Sequence, residues 1–434
     1  MIIAGDPPPP VTPDPAEDRA ARVALTWLAE PGNRTIWSMV QQAGAPGALD
    51  LVLRGEIADP GLRASVLVRN EHGQAQRLAE AALSRAERLG ARIVVPSDRE
   101  WPVRVDALAT LEATPPGRIN RDARPPLCVW VRGGWELGEA FARSVAVVGA
   151  RAATGYGVHT ATEIAFGLAE EQWTVVSGGA YGIDAAAHRA ALAAGGRTIA
   201  VLASGVDNPY PSGNASMFER IAETGLLISE WPPGTEPLRH RFLIRNRVIA
   251  AATEGTVMVE AAARSGARQT MSRVLELRRK AMVVPGPVTS AMSVGCHEVL
   301  RGNPLTARLV TCLSHVLEEV GKIGDHYAER ARGPEHPRDE LDEDSALVLE
   351  AMPRRGTTDT DRLAAKAGLS VRTVLRRLSL LETMGLVIRR GDGVALAPPK
   401  PRRLARPAVD AQAGSPSAPS RAASGSSGSE ASDE

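Results

Sequence analysis

The sequence lacks the features that mark disulfide-bonded, metal-binding or membrane-spanning proteins. Its three cysteines, Cys128, Cys296 and Cys312, lie far apart without metal-ligand spacing, which argues against a disulfide scaffold and a zinc site. The N-terminus has no basic region followed by an apolar one, and no apolar run approaches membrane-spanning length. We therefore expect reduced thiols, no metal site, no membrane contact and a cytoplasmic location.

Aromatic residues and net charge are also scarce. Aromatic side chains make up 3% of the 434 residues, and 51 Lys and Arg stand against 50 Asp and Glu. A chain with this balance lacks the strong positive field of a protein that coats DNA without specificity. Any nucleic-acid site must therefore be a confined patch of positive charge rather than the whole surface. The hydrophobic content of 44% is enough for a sizeable core and for two or three domains.

What the sequence does contain is a clear division into segments. Helix-spaced apolar positions dominate Asp18–Leu53 and Asp59–Leu89, whereas both ends of the chain are polar and rich in proline or serine. We predict disordered residues 1–16, a helical N-terminal domain at 17–90, an α/β domain at 91–324 with its core at 144–313, a linker at 325–344, a winged helix at 345–397 and a disordered tail at 398–434.

The α/β domain is predicted from apolar runs that alternate with helical patterns. The runs are near-continuous in Val, Ile and Leu, as is typical of parallel strands covered on both faces. The predicted strands are Val145–Val148, Thr174–Val176, Thr198–Leu202, Leu226–Ile228, Thr256–Val259 and Met282–Val284. The predicted helices are Gly157–Glu171, Asp184–Ala194, Ala215–Thr224, Arg245–Ala252 and Gln269–Lys280. This pattern indicates a doubly wound parallel sheet, whose ligands bind outside the carboxyl ends of the strands.

Two of these strands end in glycine-rich loops, Gly149-Ala150-Arg151 and Ser177-Gly178-Gly179. Neither loop is a GxGxxG fingerprint or a P-loop. Their backbone N–H groups and the following helix N-termini favour an anion, and Arg151 adds a forked cation suited to phosphate. Alternatively, Gly149 permits a tight turn and Arg151 is solvated. In the second loop Asp184 is a candidate helix N-cap, and His188 either forms an acid–base pair with it or holds the helix start in place.

These loops open a longer series of motifs. The series is Val145-Ala146-Val147-Val148-Gly149-Ala150-Arg151, Ser177-Gly178-Gly179-Ala180-Tyr181-Gly182-Ile183-Asp184, Gly205-Val206-Asp207-Asn208-Pro209-Tyr210-Pro211, Ser229-Glu230-Trp231-Pro232-Pro233-Gly234, Phe242-Leu243-Ile244-Arg245-Asn246-Arg247, Val259-Glu260-Ala261 to Ser265-Gly266, Val284-Pro285-Gly286 and Gly295-Cys296-His297. In order and spacing it closely resembles the DNA-processing protein A (DprA, or Smf) family.

The resemblance implies a Rossmann-like domain that binds single-stranded DNA and helps load the RecA recombinase in natural transformation and homologous recombination. It also implies a homodimer without catalytic turnover, and we expect no cofactor. The residues that we assign to the nucleic-acid site are Gly149, Arg151, Ser177, Gly178, Gly179, Tyr210, Ser212, Arg241, Phe242, Arg245, Asn246, Arg247, Ser265, Gly266 and Gln269. In this assignment the four arginines neutralise phosphates, and Tyr210 and Phe242 either stack on bases or pack in the core.

The arginines of the segment Arg241–Arg247 precede an apolar helical run, which places Arg245, Asn246 and Arg247 at a predicted helix N-terminus. Cations at that end oppose the helix dipole unless an anion lies between them, which favours a phosphate partner.

The chain departs from the family pattern at three places. Many members have leucine where Gly179 stands, and a lysine or arginine where Ser212 stands. Many also have a Ser-Leu-Ile-Thr-Ala-like run where this chain has Arg268-Gln269-Thr270-Met271-Ser272. The missing charge at Ser212 weakens one phosphate contact, for which Arg264 or Arg268 could compensate.

Two other functions stay open. The first is a nucleotide-processing enzyme of the phosphoribohydrolase-like group, although the Pro-Gly-Gly-x-Gly-Thr-x-x-Glu run of that group is missing near Val259-Glu260. The second is a DNA-binding regulator that acts through the winged helix. That segment carries Arg372, Arg376, Arg377, Arg389 and Arg390 on its predicted recognition helix and wing. Alternatively, the winged helix is an accessory interaction module.

Overall fold

The structure is a computed structural model that describes residues 14–111, 123–321 and 341–398. Most of the predicted disordered residues 1–16, linker 325–344 and disordered tail 398–434 falls outside the described residues. Where these ranges are described, a helix begins at Pro15 and another at Glu343. The chain forms two compact units, Met1–Glu329 and Arg330–Glu434.

A nine-stranded sheet is the centre of the first unit. Its strands are β1 (Ala91–Val94), β2 (Val129–Arg132), β3 (Ser144–Val148), β4 (Thr174–Ser177), β5 (Thr198–Val201), β6 (Leu226–Ser229), β7 (Gly255–Met258), β8 (Lys280–Val283) and β9 (Ala307–Leu309). The order in the sheet is β1-β2-β6-β5-β4-β3-β7-β8-β9. Strands β3 to β9 pair in parallel, and β1 and β2 add an antiparallel edge. The predicted doubly wound, Rossmann-like parallel sheet is confirmed. Strand β9 was missed because it has three residues, two of them exposed.

Helices cover both faces of this sheet. They are α5 (Leu137–Ala142), α6 (Gly155–Glu170), α7 (Ile183–Ala193), α8 (Ala215–Thr224), α9 (Arg241–Ala252), α10 (Gly266–Glu276), α11 (Val294–Gly302) and α12 (Leu313–Val320). Successive side chains of β3 lie on opposite faces of the sheet. Ala146 packs in a core with Val248 of α9 and Met271 of α10, whereas Val145 packs with Ile164 of α6. Burial on both faces explains why the strands read as continuous apolar runs.

Four helices precede the sheet, α1 (Pro15–Leu28), α2 (Arg34–Leu53), α3 (Pro60–Arg69) and α4 (Gln74–Arg88). Asp14, Asn33 and Asp59 cap the first three, because each side chain accepts a hydrogen bond from a backbone N–H of the first turn. Their core includes Trp130 of β2, so the predicted helical N-terminal domain is present and shares its core with the sheet.

The second unit contains α13 (Glu343–Ala351), α14 (Thr360–Ala367), α15 (Val371–Thr383) and the antiparallel pair β10 (Val387–Arg390) and β11 (Gly393–Leu396). This is the predicted winged helix. Arg377 forms ion pairs with Asp342 and Asp344, and Arg389 with Glu382. Arg372, Arg376 and Arg390 are exposed.

Within the described ranges, no helix is both long and apolar enough to cross a membrane. The same residues contain no cluster of three or more His, Cys, Asp or Glu side chains placed to hold a metal ion.

Candidate nucleic-acid interface

A cleft of about 390 Å³ lies at the carboxyl ends of β3 and β7. The chain runs from β3 through β4, β5 and β6 on one side and then returns to β7 on the other. The loops after β3 and β7 therefore diverge, which is where a doubly wound sheet places its ligand. The side chains and loops that line this cleft include Gly149, Arg151, Asp184, Phe242, Arg245, Asn246, Arg264, Ser265 and Gly266.

The anion position at the start of α6 is filled by the protein itself. The backbone N–H of Thr154 donates to Glu260 Oε2 at 2.9 Å, and the Thr154 hydroxyl donates to Glu260 Oε1 at 2.6 Å. Glu260 is 1% exposed, and a Cβ at Gly157 would lie 2.1 Å from Oε2. The helix dipole of α6 thus stabilises an internal carboxylate. One backbone donor and the cap hydroxyl that the sequence pattern offered to an external anion are therefore used within the protein.

The glycine of the first loop is required by packing. A Cβ at Gly149 would lie 2.5 Å from Ile183 Cγ1, so only glycine lets the start of α7 approach the end of β3. Sequence reasoning assigned Gly149 to the ligand, and it does line the cleft. However, packing against Ile183 is enough by itself to explain why this position is glycine.

The second loop, Ser177–Gly179, is a scaffold beside the cleft. Ser177 is buried and its hydroxyl donates to the Val147 carbonyl at 2.7 Å. A Cβ at Gly178 would meet the Arg245 guanidinium, and one at Gly179, which has a φ of +70°, would lie 2.3 Å from Phe218. The loop reaches the cleft through Ala180, whereas Ser177, Gly178 and Gly179 are not among its lining residues. The assignment of these three residues to the site stays a prediction.

Asp184 and His188 have separate structural roles. Gly182 occupies the N-cap of α7, and Asp184, one of its first residues, accepts a hydrogen bond from the Gly178 N–H at 3.2 Å. His188 Nδ1 lies 2.7 Å from the Thr198 hydroxyl. Burial, followed by the nearby charge of Arg245, lowers the pKa of His188 to about 3. No hydrogen bond joins Asp184 to His188, so the possible acid–base pair is not formed, and His188 connects α7 to β5.

The arginines of α9 are internal. The helix begins at Arg241, four residues earlier than predicted, so Arg245 and Arg247 lie in its second turn. The argument from an unfavourable helix dipole therefore does not apply. Arg247 is 1% exposed, and its Nη1 and Nη2 lie 2.5 and 2.7 Å from the two carboxylate oxygens of Glu230. The prediction that Arg247 neutralises phosphate does not fit this geometry.

Arg245 and Arg241 are likewise held by the protein. Arg245 Nη1 donates to the carbonyl oxygens of Gly178, at 2.9 Å, and of Val201, so it connects the ends of β4 and β5. Burial lowers the pKa of Arg245 to about 10 and raises the pKa of Asp184, against their mutual attraction. Arg241 Nη2 lies 3.0 Å from Glu30 Oε1, which ties α9 to the N-terminal helices. Arg241 and Arg245 were both predicted to bind phosphate, but the guanidinium of each is bonded to groups of the protein.

Arg151 is an exposed cation that lines the cleft. It has no ion pair with any residue that the structure describes, and its guanidinium lies 5.2 Å from the centre of the Phe242 ring. Phe242 in turn contacts Tyr210 edge to face, at 5.8 Å between ring centres and 64° between planes. Phe242 packs partly on Trp231, whereas Tyr210 is 48% exposed. The three side chains form a row of one cation and two aromatic rings, which we call the aromatic row.

The opposite wall of the cleft is the start of α10. Ser265 is its N-cap and accepts a hydrogen bond from the Ala267 N–H at 3.2 Å. Arg264, just before it, is exposed and has no ion-pair partner among the described residues. Gly266 has open space around it. Positive charge at a helix N-terminus that faces a cleft favours an anion there. In the sequence analysis Arg264 was considered only as a replacement for the charge missing at Ser212. Its position in the loop between β7 and α10 could have identified it as a site residue.

The remaining assigned residues lie around the cleft. Asn246 lines it and accepts a hydrogen bond from Arg245 Nε at 3.1 Å. Ser212 is exposed at the start of the short 3₁₀ helix Ser212–Asn214, outside the cleft lining. Gln269 lines a second depression of about 740 Å³, which we call the adjoining groove.

Comparison with known proteins gives a consistent result over most of the chain. A family model described as DNA recombination-mediator protein A matches residues 92–321, and one described as DprA winged helix domain matches residues 332–393.

Individual relatives agree. The chain is 42% identical over 395 residues to a protein described as DNA processing protein DprA in Mycobacterium tuberculosis, covering 88% of this chain and 97% of the relative. It is 35% identical over 267 residues to protein Smf of Escherichia coli, covering 60% of this chain and 69% of the relative. The solved structure of DNA processing protein A from Streptococcus pneumoniae superposes with a TM-score of 0.54 at 28% identity, covering 71% of this chain and 97% of that one.

Proposed function

The chain belongs to the DNA recombination-mediator protein A (DprA/Smf) family of DNA-processing proteins, and from that premise we propose that its cleft binds single-stranded DNA. The observation that carries the proposal is the aromatic row. A free guanidinium beside two aromatic rings offers a phosphate ligand next to stacking surfaces for bases. Arg264 and the start of α10 supply positive potential on the other wall.

A single strand suits this arrangement better than a duplex. Stacking on Phe242 and Tyr210 requires unpaired bases that can leave their neighbours, and it works for any base because each has a π-face. Contacts to phosphates carry no sequence information. The site therefore favours binding without sequence preference.

We propose binding without catalytic turnover. At the start of α6, where a nucleotide enzyme would hold a phosphate, the Thr154 N–H and hydroxyl donate to Glu260. Two titratable side chains of α7, Asp184 and His188, are buried and share no hydrogen bond. Both observations weigh against the phosphoribohydrolase-like alternative.

We further propose that the protein delivers single-stranded DNA to the RecA recombinase in natural transformation and homologous recombination, as a homodimer. The support is family membership. The test is RecA filament assembly on single strands coated with a single-strand-binding protein, in which this protein should shorten the lag. An unchanged lag would refute delivery while leaving DNA binding intact.

A role for the winged helix in duplex binding rests on a separate observation, the exposed Arg372 and Arg376 on α15. If it holds, the double variant R372A/R376A weakens duplex binding by the full-length chain and leaves single-strand binding unchanged.

The central experiment is a fluorescence anisotropy titration of a labelled single strand and its duplex, at about 50 mM and about 200 mM salt. We expect the wild type to prefer the single strand. Arg151→Ala should weaken binding about tenfold at low salt, because a hydrogen bond to a charged group contributes on the order of 1.5 kcal/mol. It should also lower the salt slope by about one.

The matched control is Arg88→Ala, which removes the same charge from an exposed position on α4. It should leave affinity and slope unchanged. A preference for duplex, hydrolysis of a nucleotide, or equal affinities of R151A and R88A would refute the proposal.

A further inference from the structure

The adjoining groove continues from the cleft. The two depressions share Leu243, Asn246, Arg264, Ser265 and Gly266 in their linings. The groove is the larger, at about 740 Å³ against about 390 Å³. A chain of phosphates that leaves the cleft past the start of α10 therefore enters the groove without crossing a wall.

Arg268 lines the groove, is partly exposed and forms an ion pair with Glu298. Its Nη2 lies 2.7 Å from Glu298 Oε2, and its Nη1 donates to the Ala263 carbonyl. Both side chains are partly exposed, at 35% and 48%. An exposed pair of this kind contributes little to stability. A phosphate can therefore replace the Glu298 carboxylate without a large cost to the fold.

Gln269 follows Arg268 on α10 and also lines the groove. Its Oε1 atom is buried and accepts no hydrogen bond from any residue that the structure describes, so a nucleotide could reach this atom only after the side chain rotates. Gln269 therefore adds a polar side chain to the groove wall, next to the charge of Arg268.

We propose that the adjoining groove binds the nucleotides that follow those held in the cleft, with Arg268 as a phosphate ligand. Glu298 occupies Arg268 while no DNA is bound and thereby weakens binding. This proposal rests on the proposed function. It also gives a role to Arg268, which stands where the family's usual run begins with serine.

The test is a double-mutant cycle on a longer single strand. Arg268→Ala should weaken binding about fivefold and lower the salt slope by about one, because one phosphate contact is lost. Glu298→Gln should tighten binding about threefold, because it frees Arg268. The double variant R268A/E298Q should bind as R268A does, since Glu298 acts through Arg268. Circular dichroism of each variant checks the fold.

A length series locates the contact. With oligothymidylates of about 4 to about 16 nucleotides, the loss caused by R151A should appear at every length. The loss caused by R268A should appear only for the longer strands. Glu219→Gln, which removes an exposed carboxylate from α8, is the control for net charge and should bind as the wild type does.

The outcomes separate the two proposals. If R151A weakens binding but R268A and E298Q match the wild type at all lengths, the groove proposal is wrong and the proposed function stands. If R151A has no effect, the proposed function is wrong. Equal tightening by E298Q and E219Q, or tightening by E298Q in the absence of Arg268, would also overturn the groove proposal.

Discussion

Arg241, Arg245 and Arg247 lie on α9, whereas Arg151 and Arg264 lie on loops that line the same cleft. All five are arginines close to glycine-rich or apolar motifs. On α9 each guanidinium contacts groups of the protein: Glu30 for Arg241, two carbonyl oxygens for Arg245 and Glu230 for Arg247. On the loops both side chains are exposed. The α9 arginines hold the wall that carries Phe242 and Asn246, and the loop arginines are free for a ligand.

The largest expected effect concerns Arg247. Arg247→Ala leaves Glu230 buried and unpaired, so it should lower the free energy of unfolding by about 3–5 kcal/mol. Arg151→Ala should change that free energy by less than about 0.5 kcal/mol, as is usual for an exposed substitution. Urea unfolding of both variants measures the difference. The double variant R247M/E230L is the control and should recover much of the loss. Equal stability of R247A and R151A would break the comparison.

The second prediction tests the role of Arg241 by changing its ion-pair partner, Glu30. Burial alone raises the pKa of Glu30, but hydrogen bonds from Arg241 and Trp231 and the charges of Arg241 and Arg69 lower it to about 2, against an ordinary 4.5. A carboxyl with a lowered pKa in the folded state stabilises the fold above its unfolded pKa and loses that contribution as the pH falls.

Wild-type protein should therefore exceed Glu30→Gln in free energy of unfolding by roughly 3 kcal/mol near neutral pH, since one pKa unit corresponds to about 1.4 kcal/mol. The difference should shrink as the pH falls from 4.5 towards 2. Unfolding measured across this range checks it. A difference that stays constant with pH would show that Glu30 contributes by packing alone.

The smallest effect sharpens the role of the aromatic row. Phe242→Leu keeps an apolar side chain but removes the stacking face, so it should weaken single-strand binding about fivefold, equivalent to about 1 kcal/mol. The salt slope should not change, in contrast to Arg151→Ala. Anisotropy titrations at two salt concentrations measure both quantities. A loss of stability with unchanged DNA affinity would assign Phe242 to the core.

The fold was predictable to within a few residues because burial on both faces makes parallel strands continuous apolar runs. The starts of helices were less predictable. α9 and α10 begin four and three residues before the predicted positions. The first turn of α9 contains the continuous apolar run Phe242-Leu243-Ile244, which has no helical period, and α10 opens on Gly266, a weak helix former.

The site was predictable only in part. The loop after β3 and the residues Phe242, Asn246, Ser265 and Gly266 line the cleft as assigned. The other assigned residues that do not line the cleft are Ser177, Gly178, Gly179, Tyr210, Ser212, Arg241, Arg247 and Gln269. For Ser177, Gly178, Gly179 and Arg247 the reason is that the groups that they contact come from other strands and helices. Glu260, which fills the start of α6, lies 106 residues from Thr154. No local pattern reveals such a pairing.

The sequence by itself determined the doubly wound sheet, the order of its motifs and the edge at which a ligand binds, because these follow from strand periodicity and from the residues that end each strand. Only the tertiary structure decided which charges are free. Whether an arginine meets a phosphate or a carboxylate of its own chain depends on distances between residues far apart in sequence. In this protein those distances pair the arginines of α9 and Glu260 with groups of the chain itself and leave Arg151 and Arg264 exposed.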